Sequence, residues 1–426
     1  MKRLLIFAAV VSMLAAVGGC RKQQPPYVPE RPSGPVGHTL IMYLAGNNNL
    51  SSYLQGNVNE VLGTLDESVP GADGRIVAFY RPSSGSGVPV LLELYYDSRL
   101  GTVCDTLKRY DATLSATDVS TLSMVVADAK AAAPAAEYSM VFGSHATGWF
   151  TRACMSQGSL TSPMSTVGGS GYGSFWRRYG DEVTRTFGSD NMVKSTTGLP
   201  DPGMDITDLA KALSGTHFRA LIFDCCFMAS AEVAYDLRNA ADYLVVSSAE
   251  IMGRGFPYEL TLKYLFASGS VKDNLKNVCS EYIRFYTELT SGQKSGTISL
   301  IDCSRIESLA EAVAAMERAG CNEVDRDDVQ AFELLQTHQF FDLDHYYDLA
   351  ATDRASYEAF SQALSECVLY AGHTPEVYSI YGGRRFTVAR SCGLTVNIPS
   401  GEYPLFGSEW RSTAWAQRIG RGGTAE

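Results

Sequence analysis

Histidine is scarce in this chain, tryptophan scarcer still, and no two cysteines stand in a CxxC pair. Six widely separated histidines among 426 residues offer no cluster from which a zinc site could be built, so no metal site is expected. Lysine and arginine form no long run and the formal net charge is -11, which excludes the clustered positive charge that a nucleic-acid partner requires. Charged residues make up only 19% of the chain against 45% apolar ones, a globular profile and not a disordered one. The acidity reads first as solubility, with affinity for cationic substrates as the functional alternative. After the N-terminus there is no second apolar stretch of membrane-spanning length, no internal repeat and no low-complexity segment beyond one proline-rich tether.

What is present begins with a processing signal. Lys2 and Arg3 precede the apolar stretch Leu4 to Ala16, which ends in Val17-Gly18-Gly19-Cys20. Small residues just before a cysteine resemble the lipobox of bacterial lipoproteins, which implies a signal peptide over 1–19 and lipid on Cys20; an ordinary signal peptide is the alternative. The expected location is therefore the cell envelope, exported and lipid-anchored, facing the periplasm or the cell surface. Five prolines and two glycines between 25 and 37 make residues 20–37 a tether. Nine further cysteines remain, an odd number, so intramolecular pairing would leave at least one free thiol.

The body begins at His38. Thr39–Leu44, Arg75–Tyr80, Val90–Tyr96, Tyr138–Gly143, Arg219–Phe223 and Tyr243–Ser247 read as buried strands. Leu50–Leu65, Asp118–Ala132, Ile206–Leu213 and Ala229–Arg238 read as helices between them. Alternation of this kind predicts an α/β fold, a mostly parallel sheet flanked by helices, over 38–257. Residues 151–200 are rich in Gly, Ser and Thr and predict a long loop. Helical spacing over 258–372 predicts a helical subdomain, and the strand-like segments of 373–426 are expected to return to the core.

Two strand ends carry the chemistry: Phe142-Gly143-Ser144-His145 and Phe223-Asp224-Cys225-Cys226. In open α/β sheets, sites form at the C-terminal ends of the strands. A cysteine opening the next helix would feel the helix N-terminal field, which favours thiolate. A histidine from the neighbouring strand can then act as base and acid. Taken singly, a histidine beside glycines is more often structural and a cysteine in an apolar segment is more often a small buried hydrophobe. The cluster Phe341 to Asp348 could suggest metal, but reads better as a helix start with polar tips. The aromatic residues read as core.

The two segments resemble the clostripain family of cysteine peptidases, which share the caspase-like fold. That family has one apolar strand leading to Asn-His-Gly-x-Gly-Trp and another leading to Phe-Asp-Ala-Cys-Leu-Met. Here they read Ser144-His145-Ala146-Thr147-Gly148-Trp149 and Phe223-Asp224-Cys225-Cys226-Phe227-Met228. Gly46-Asn47-Asn48-Asn49-Leu50, Asp205-Ile206-Thr207-Asp208-Leu209, Cys392–Pro399 and Trp415 are similar to further family segments, so the resemblance spans nearly all of 39–418. It implies a cysteine endopeptidase with His145 as general base and acid and Cys226, not Cys225, as nucleophile. The oxyanion would be held by the backbone N–H groups of Ala146 and Cys226, at about 3 kcal/mol each. Asp224 would line the first specificity pocket and select a basic P1 residue, arginine ahead of lysine; its other reading is a helix N-cap. Self-cleavage is expected within 151–200, where Arg152, Arg177, Arg178, Arg185 and Lys194 are candidates. The chemistry needs no cofactor; some members of the family use calcium, and no EF-hand pattern locates an ion here. The rival from another class is a non-catalytic surface lipoprotein that binds peptides or host protein.

Overall fold

Unbroken apolar runs make the middle of the molecule. Leu40–Leu44, Ile76–Phe79, Met140–Phe142 and Leu221–Phe223 are essentially inaccessible on both faces, as expected of parallel strands covered by helices on each side. In this computed structural model the described residues are Tyr27, 33–151, Cys154, Gly188, Asp190, 203–290, 293–335, 337–401 and 404–423. Residues 1–19, Cys20, most of the tether and the basic candidates Arg152, Arg177, Arg178, Arg185 and Lys194 lie outside them.

Ten strands need naming: β1 (Val36–Ala45), β2 (Gly74–Arg81), β3 (Val90–Asp97), β4 (Gly101–Arg109), β5 (Ala135–Gly143), β6 (Phe218–Asp224), β7 (Ala241–Val246), β8 (Thr297–Asp302), β9 (Phe341–Asp342) and β10 (Val368–His373). All but β9 form one nine-stranded sheet in the order β10-β8-β7-β6-β5-β1-β2-β3-β4. The five strands from β2 to β7 pair in parallel, and the antiparallel strands lie outside them. Alternate side chains separate into two cores. Ile41, Tyr43, Met140, Phe142, Leu221 and Phe223 enter one, while Leu40, Met42, Leu44, Val141 and Ile222 enter the other. Each fully buried side chain of this size contributes roughly 1.5–3 kcal/mol relative to exposure.

Helices α1 (Ser51–Thr64), α2 (Val119–Ala132), α3 (Ile206–Leu213) and α4 (Ala231–Leu237) follow the expected alternation. Together with the central sheet they form the mixed α/β arrangement predicted from sequence, a mostly parallel sheet flanked by helices.

One domain expectation needs correction. The 258–372 segment is not a separate helical subdomain: α5 (Tyr258–Leu265), α6 (Val271–Glu288) and α7 (Ile306–Ala319) alternate with β8, which pairs with β7, and β10 closes the sheet beyond it. The helical spacing does not hold to 372, because the helix Arg354–Cys367 ends before Val368–His373, which forms β10. The strands of 373–426 pack on the core but do not enlarge the main sheet. β11 (Glu376–Ser379) and β12 (Arg384–Thr387) pair only with each other, and β13 (Thr395–Val396) pairs with β9.

Candidate active site

Pairing register brings the two expected residues to the same edge. In the β5–β6 ladder the last partners are Gly143 and Asp224. His145 and Cys226 each lie two residues beyond that pair, on adjacent parallel strands, where the chain leaves the sheet. Both are half-buried.

The histidine loop is held from three sides. Ser144 Oγ donates to the Ala45 carbonyl at 2.9 Å, tying the loop to the end of β1. The His145 carbonyl accepts the Gly188 N–H at 2.9 Å. His145 Nε2 lies 2.6 Å from Asn49 Oδ1. An N–H on Nε2 donating to that oxygen leaves Nδ1 as the basic nitrogen. Burial pulls the imidazole down to about 3, so the resting ring is neutral. Asn49 stands in the Gly46–Leu50 motif, and its 96-residue separation from His145 leaves no local pattern that marks its role. Asn47, two positions earlier, donates to Asp190, which also accepts the Ala116 N–H at 2.9 Å and lies 3.9 Å from Arg81 Nε.

The cysteine loop departs from expectation. Cys226 does not open a helix: α4 begins at Ala231, with Ser230 as its N-cap accepting the Val233 N–H at 3.2 Å. Phe227 breaks the path with a φ of 60°, the one left-handed non-glycine among the described residues. The Phe227 N–H donates to the Ala249 carbonyl at 3.1 Å and the Ala229 N–H to the Ser247 carbonyl at 2.9 Å, so this turn is strapped to the loop after β7. The expected helix field is therefore missing at the thiol. Burial first, then the charge of Glu250, push Cys226 up to about 12. Its Sγ accepts the Ile251 N–H at 3.3 Å.

Cys225 is buried and its Sγ faces the Phe142 carbonyl at 3.4 Å, so it packs; all nine described cysteines are free. The backbone N–H of Cys226 enters no backbone hydrogen bond among the described residues, while Ala146 takes part in a β-bridge. Ala146, which stands where the resembling family has glycine, does not occupy the left-handed region. The glycine that the loop requires is Gly148: its φ is 59°, and a Cβ there would lie 2.5 Å from the Phe227 carbonyl oxygen. The histidine and cysteine loops thus touch through bare backbone.

Asp224 is not a helix cap. Its Oδ2 accepts the Phe256 N–H at 3.1 Å and the Tyr258 hydroxyl at 3.2 Å. Burial lifts its carboxyl to about 6, against the opposing pull of those two donors. Gly255, at φ 75°, lies directly over the carboxylate; a Cβ would come within 2.7 Å of Oδ1 and nearer still to Oδ2. Asn57 Nδ2 donates to the Arg254 carbonyl at 3.1 Å and the Tyr286 hydroxyl to that of Gly255 at 2.7 Å, fixing this loop.

The cluster at 341–348 is a helix start, as its bland reading holds. Asp342 caps α8 (Leu343–Ala350) by accepting the His345 N–H at 2.9 Å. Among the described residues no group of three or more His, Cys, Asp or Glu is placed to hold a metal ion. No described helix is long and apolar enough to cross a membrane.

A cysteine and a histidine at adjacent strand ends of a caspase-like sheet define the class as a cysteine peptidase fold. The sequence model of the clostripain family of C11 peptidases matches residues 169–388, and the chain belongs to that family. The match includes Asp224 and Cys226 and begins after His145. Among solved structures, a secreted C11 cysteine protease from Bacteroides thetaiotaomicron, iotapain, is similar with a TM-score of 0.74 at 26% identity, covering 91% of this chain and 100% of its own. An inactive zymogen C11 protease from Parabacteroides distasonis shares the fold with a TM-score of 0.72 at 24% identity, covering 91% of this chain and 99% of its own. A secreted C11 cysteine protease from Bacteroides thetaiotaomicron in complex with an irreversible peptide inhibitor shares the fold with a TM-score of 0.71 at 24% identity, over 90% of this chain and 99% of its own. A comparison with curated protein sequences finds no match.

Proposed function

We propose that this clostripain-family peptidase is an endopeptidase cleaving after arginine, and after lysine to a lesser degree, through the dyad His145 and Cys226. The observation that supports the reading is the register of β5 and β6, in which both residues stand two positions past the paired Gly143 and Asp224. The resting pair is neutral, since burial disfavours both imidazolium and thiolate. Thiolate therefore forms as the reaction begins: Nδ1 of His145 takes the Cys226 proton while sulfur attacks the scissile carbonyl carbon. The oxyanion is met by the N–H groups of Ala146 and Cys226. Collapse breaks the C–N bond, His145 returns the proton to the leaving amine, and a thioester remains. His145 then deprotonates the water that releases the acid product and restores the thiol. Asp224 is the group for the basic P1 side chain, with Gly255, which has no Cβ, packed against its carboxylate. No cofactor enters a step.

The test uses fluorogenic peptides with P1 Arg, Lys or Ala. Cys226→Ala should abolish turnover and Cys225→Ala should not; unchanged Arg cleavage in Cys226→Ala removes the assignment. Asp224→Asn should lower cleavage after Arg relative to Ala. Self-processing within 151–200, drawn from the family resemblance, is read by intact mass, and a single uncut and fully active chain rejects it. Export with a lipid on Cys20, resting on the lipobox-like Val17–Cys20, is read by mass spectrometry of the N-terminal peptide, where an unmodified cysteine rejects it.

A further inference from the structure

One buried carboxylate next to the nucleophile is used by none of these steps. Glu250 follows β7, immediately before Ile251, whose N–H meets the Cys226 sulfur at 3.3 Å. It is 7% exposed. Its Oε1 accepts the Ile380 N–H at 3.0 Å, at the tip of the β11–β12 hairpin. Its Oε2 is buried without a hydrogen-bond partner among the described residues. An orphaned carboxylate oxygen is costly if charged and much less so if protonated.

The loop around it is rigidly tied. Ser247 Oγ meets Thr297 Oγ1 at 2.7 Å and the Ala249 N–H donates to the same Thr297 oxygen at 3.0 Å, locking residues 247–249 to β8. Glu250 thus joins three pieces: the nucleophile turn, the loop after β7 and the hairpin. The groups facing it are Cys226 from the nucleophile turn, Glu333 from the segment before β9, and neutral donors of Ser379, Ile380 and Tyr381 from the hairpin. No cation offsets it in that set. Glu333 is itself surrounded by the N–H groups of Leu335, Gln339 and Phe340 and by His338.

We infer that Glu250 is a positioning residue for Cys226: it fixes the hairpin against the nucleophile turn, and its protonation state sets how readily the thiol ionises. This rests on Cys226 being the nucleophile. Burial lifts the Glu250 carboxyl to about 8. Below that pH the group is neutral and leaves Cys226 unopposed. Above it the new negative charge works against the thiolate.

The experiment is the pH dependence of iodoacetamide alkylation at Cys226, followed by peptide mass spectrometry, which needs no peptidase turnover. In the natural protein the logarithm of the rate should climb with pH, lag near pH 8 and then resume its climb on a lower line. Glu250→Gln should match the natural protein at pH 6 and exceed it several-fold above pH 9, with no lag. Glu250→Asp, which keeps the charge, should retain the lag. A uniform loss at every pH in Glu250→Gln would make the residue merely structural and overturn the proposal. So would an unbroken unit-slope line from pH 7 to 9 in the natural protein, a result that stands even if the variant does not fold. If Cys226→Ala keeps its peptidase activity, the dyad assignment fails instead, whatever the alkylation profile.

Discussion

Gly148→Ala should damage stability and activity together, and the structure gives the magnitude. The residue sits at φ 59°, where an alanine costs about 1–2 kcal/mol in backbone strain. Its new Cβ would lie 2.5 Å from the Phe227 carbonyl oxygen and 2.9 Å from the Phe340 ring. One obstacle is backbone, so it cannot rotate away; forcing the extra carbon in costs a further ~1–3 kcal/mol. The sum is about 2–5 kcal/mol, less than the ~5–15 kcal/mol that a folded protein commonly holds, so the variant should fold. What yields is the Phe227 turn, which already sits at φ 60° directly after Cys226. Reversible chemical denaturation gives the stability change, and alkylation of Cys226 with turnover of a P1 Arg peptide gives the site's response. Gly56→Ala is the control: it lies in α1 with nothing within 4 Å of its Cβ, and should stabilise by up to ~1 kcal/mol without touching activity. A Gly148→Ala protein within 0.5 kcal/mol of the parent, on the order of an ordinary surface substitution, and fully active would refute the claim that the two catalytic loops meet through that backbone.

Cleavage after arginine should weaken as pH falls through about 6, because Asp224 is charged only above that value. Tyr258→Phe removes a hydrogen bond that favours the charged carboxylate, so its midpoint should move to higher pH; a midpoint at or below the parent's would contradict this. Asn49→Ala should lower kcat about tenfold, the equivalent of one orienting hydrogen bond of ~1.4 kcal/mol, with KM little changed; an effect on KM alone would deny Asn49 its role toward His145. Asp190→Ala leaves the buried Arg81 guanidinium without its carboxylate and should cost about 3 kcal/mol by denaturation, whereas a cost under 1 would show that the carbonyls around Arg81 suffice.

The strands that were legible are those whose side chains are buried on both faces. Leu40–Leu44 and Leu221–Phe223 announce themselves because nothing polar interrupts them. β4 was not legible: its residues alternate between half-buried and exposed, so Gly101–Arg109 offers no apolar run. β8 and β10 hid for another reason. Both are six residues long; β10 follows its helix without a break, and β8 lies between two longer helices. The long stretch 258–372 therefore read as helical, although it supplies one flank of the sheet.

At the site, what sequence could place was the pair of strand ends; what it could not place was the electrical environment. The nearby helix suggested a thiol eased toward thiolate, but a single left-handed residue, Phe227, delays that helix until Ala231 and turns the chain back onto the β7 loop. Burial dominates at both groups, and what distant parts of the chain add is the Asn49 hydrogen bond to His145 and the Glu250 charge beside Cys226. Each acts to keep the resting pair neutral or to fix its geometry, and none raises the thiolate population of the empty site. If Cys226 and His145 act as proposed, with the thiol ionising as its proton passes to His145 during attack, the contacts that orient the imidazole matter more to the rate than any field acting on the free thiol.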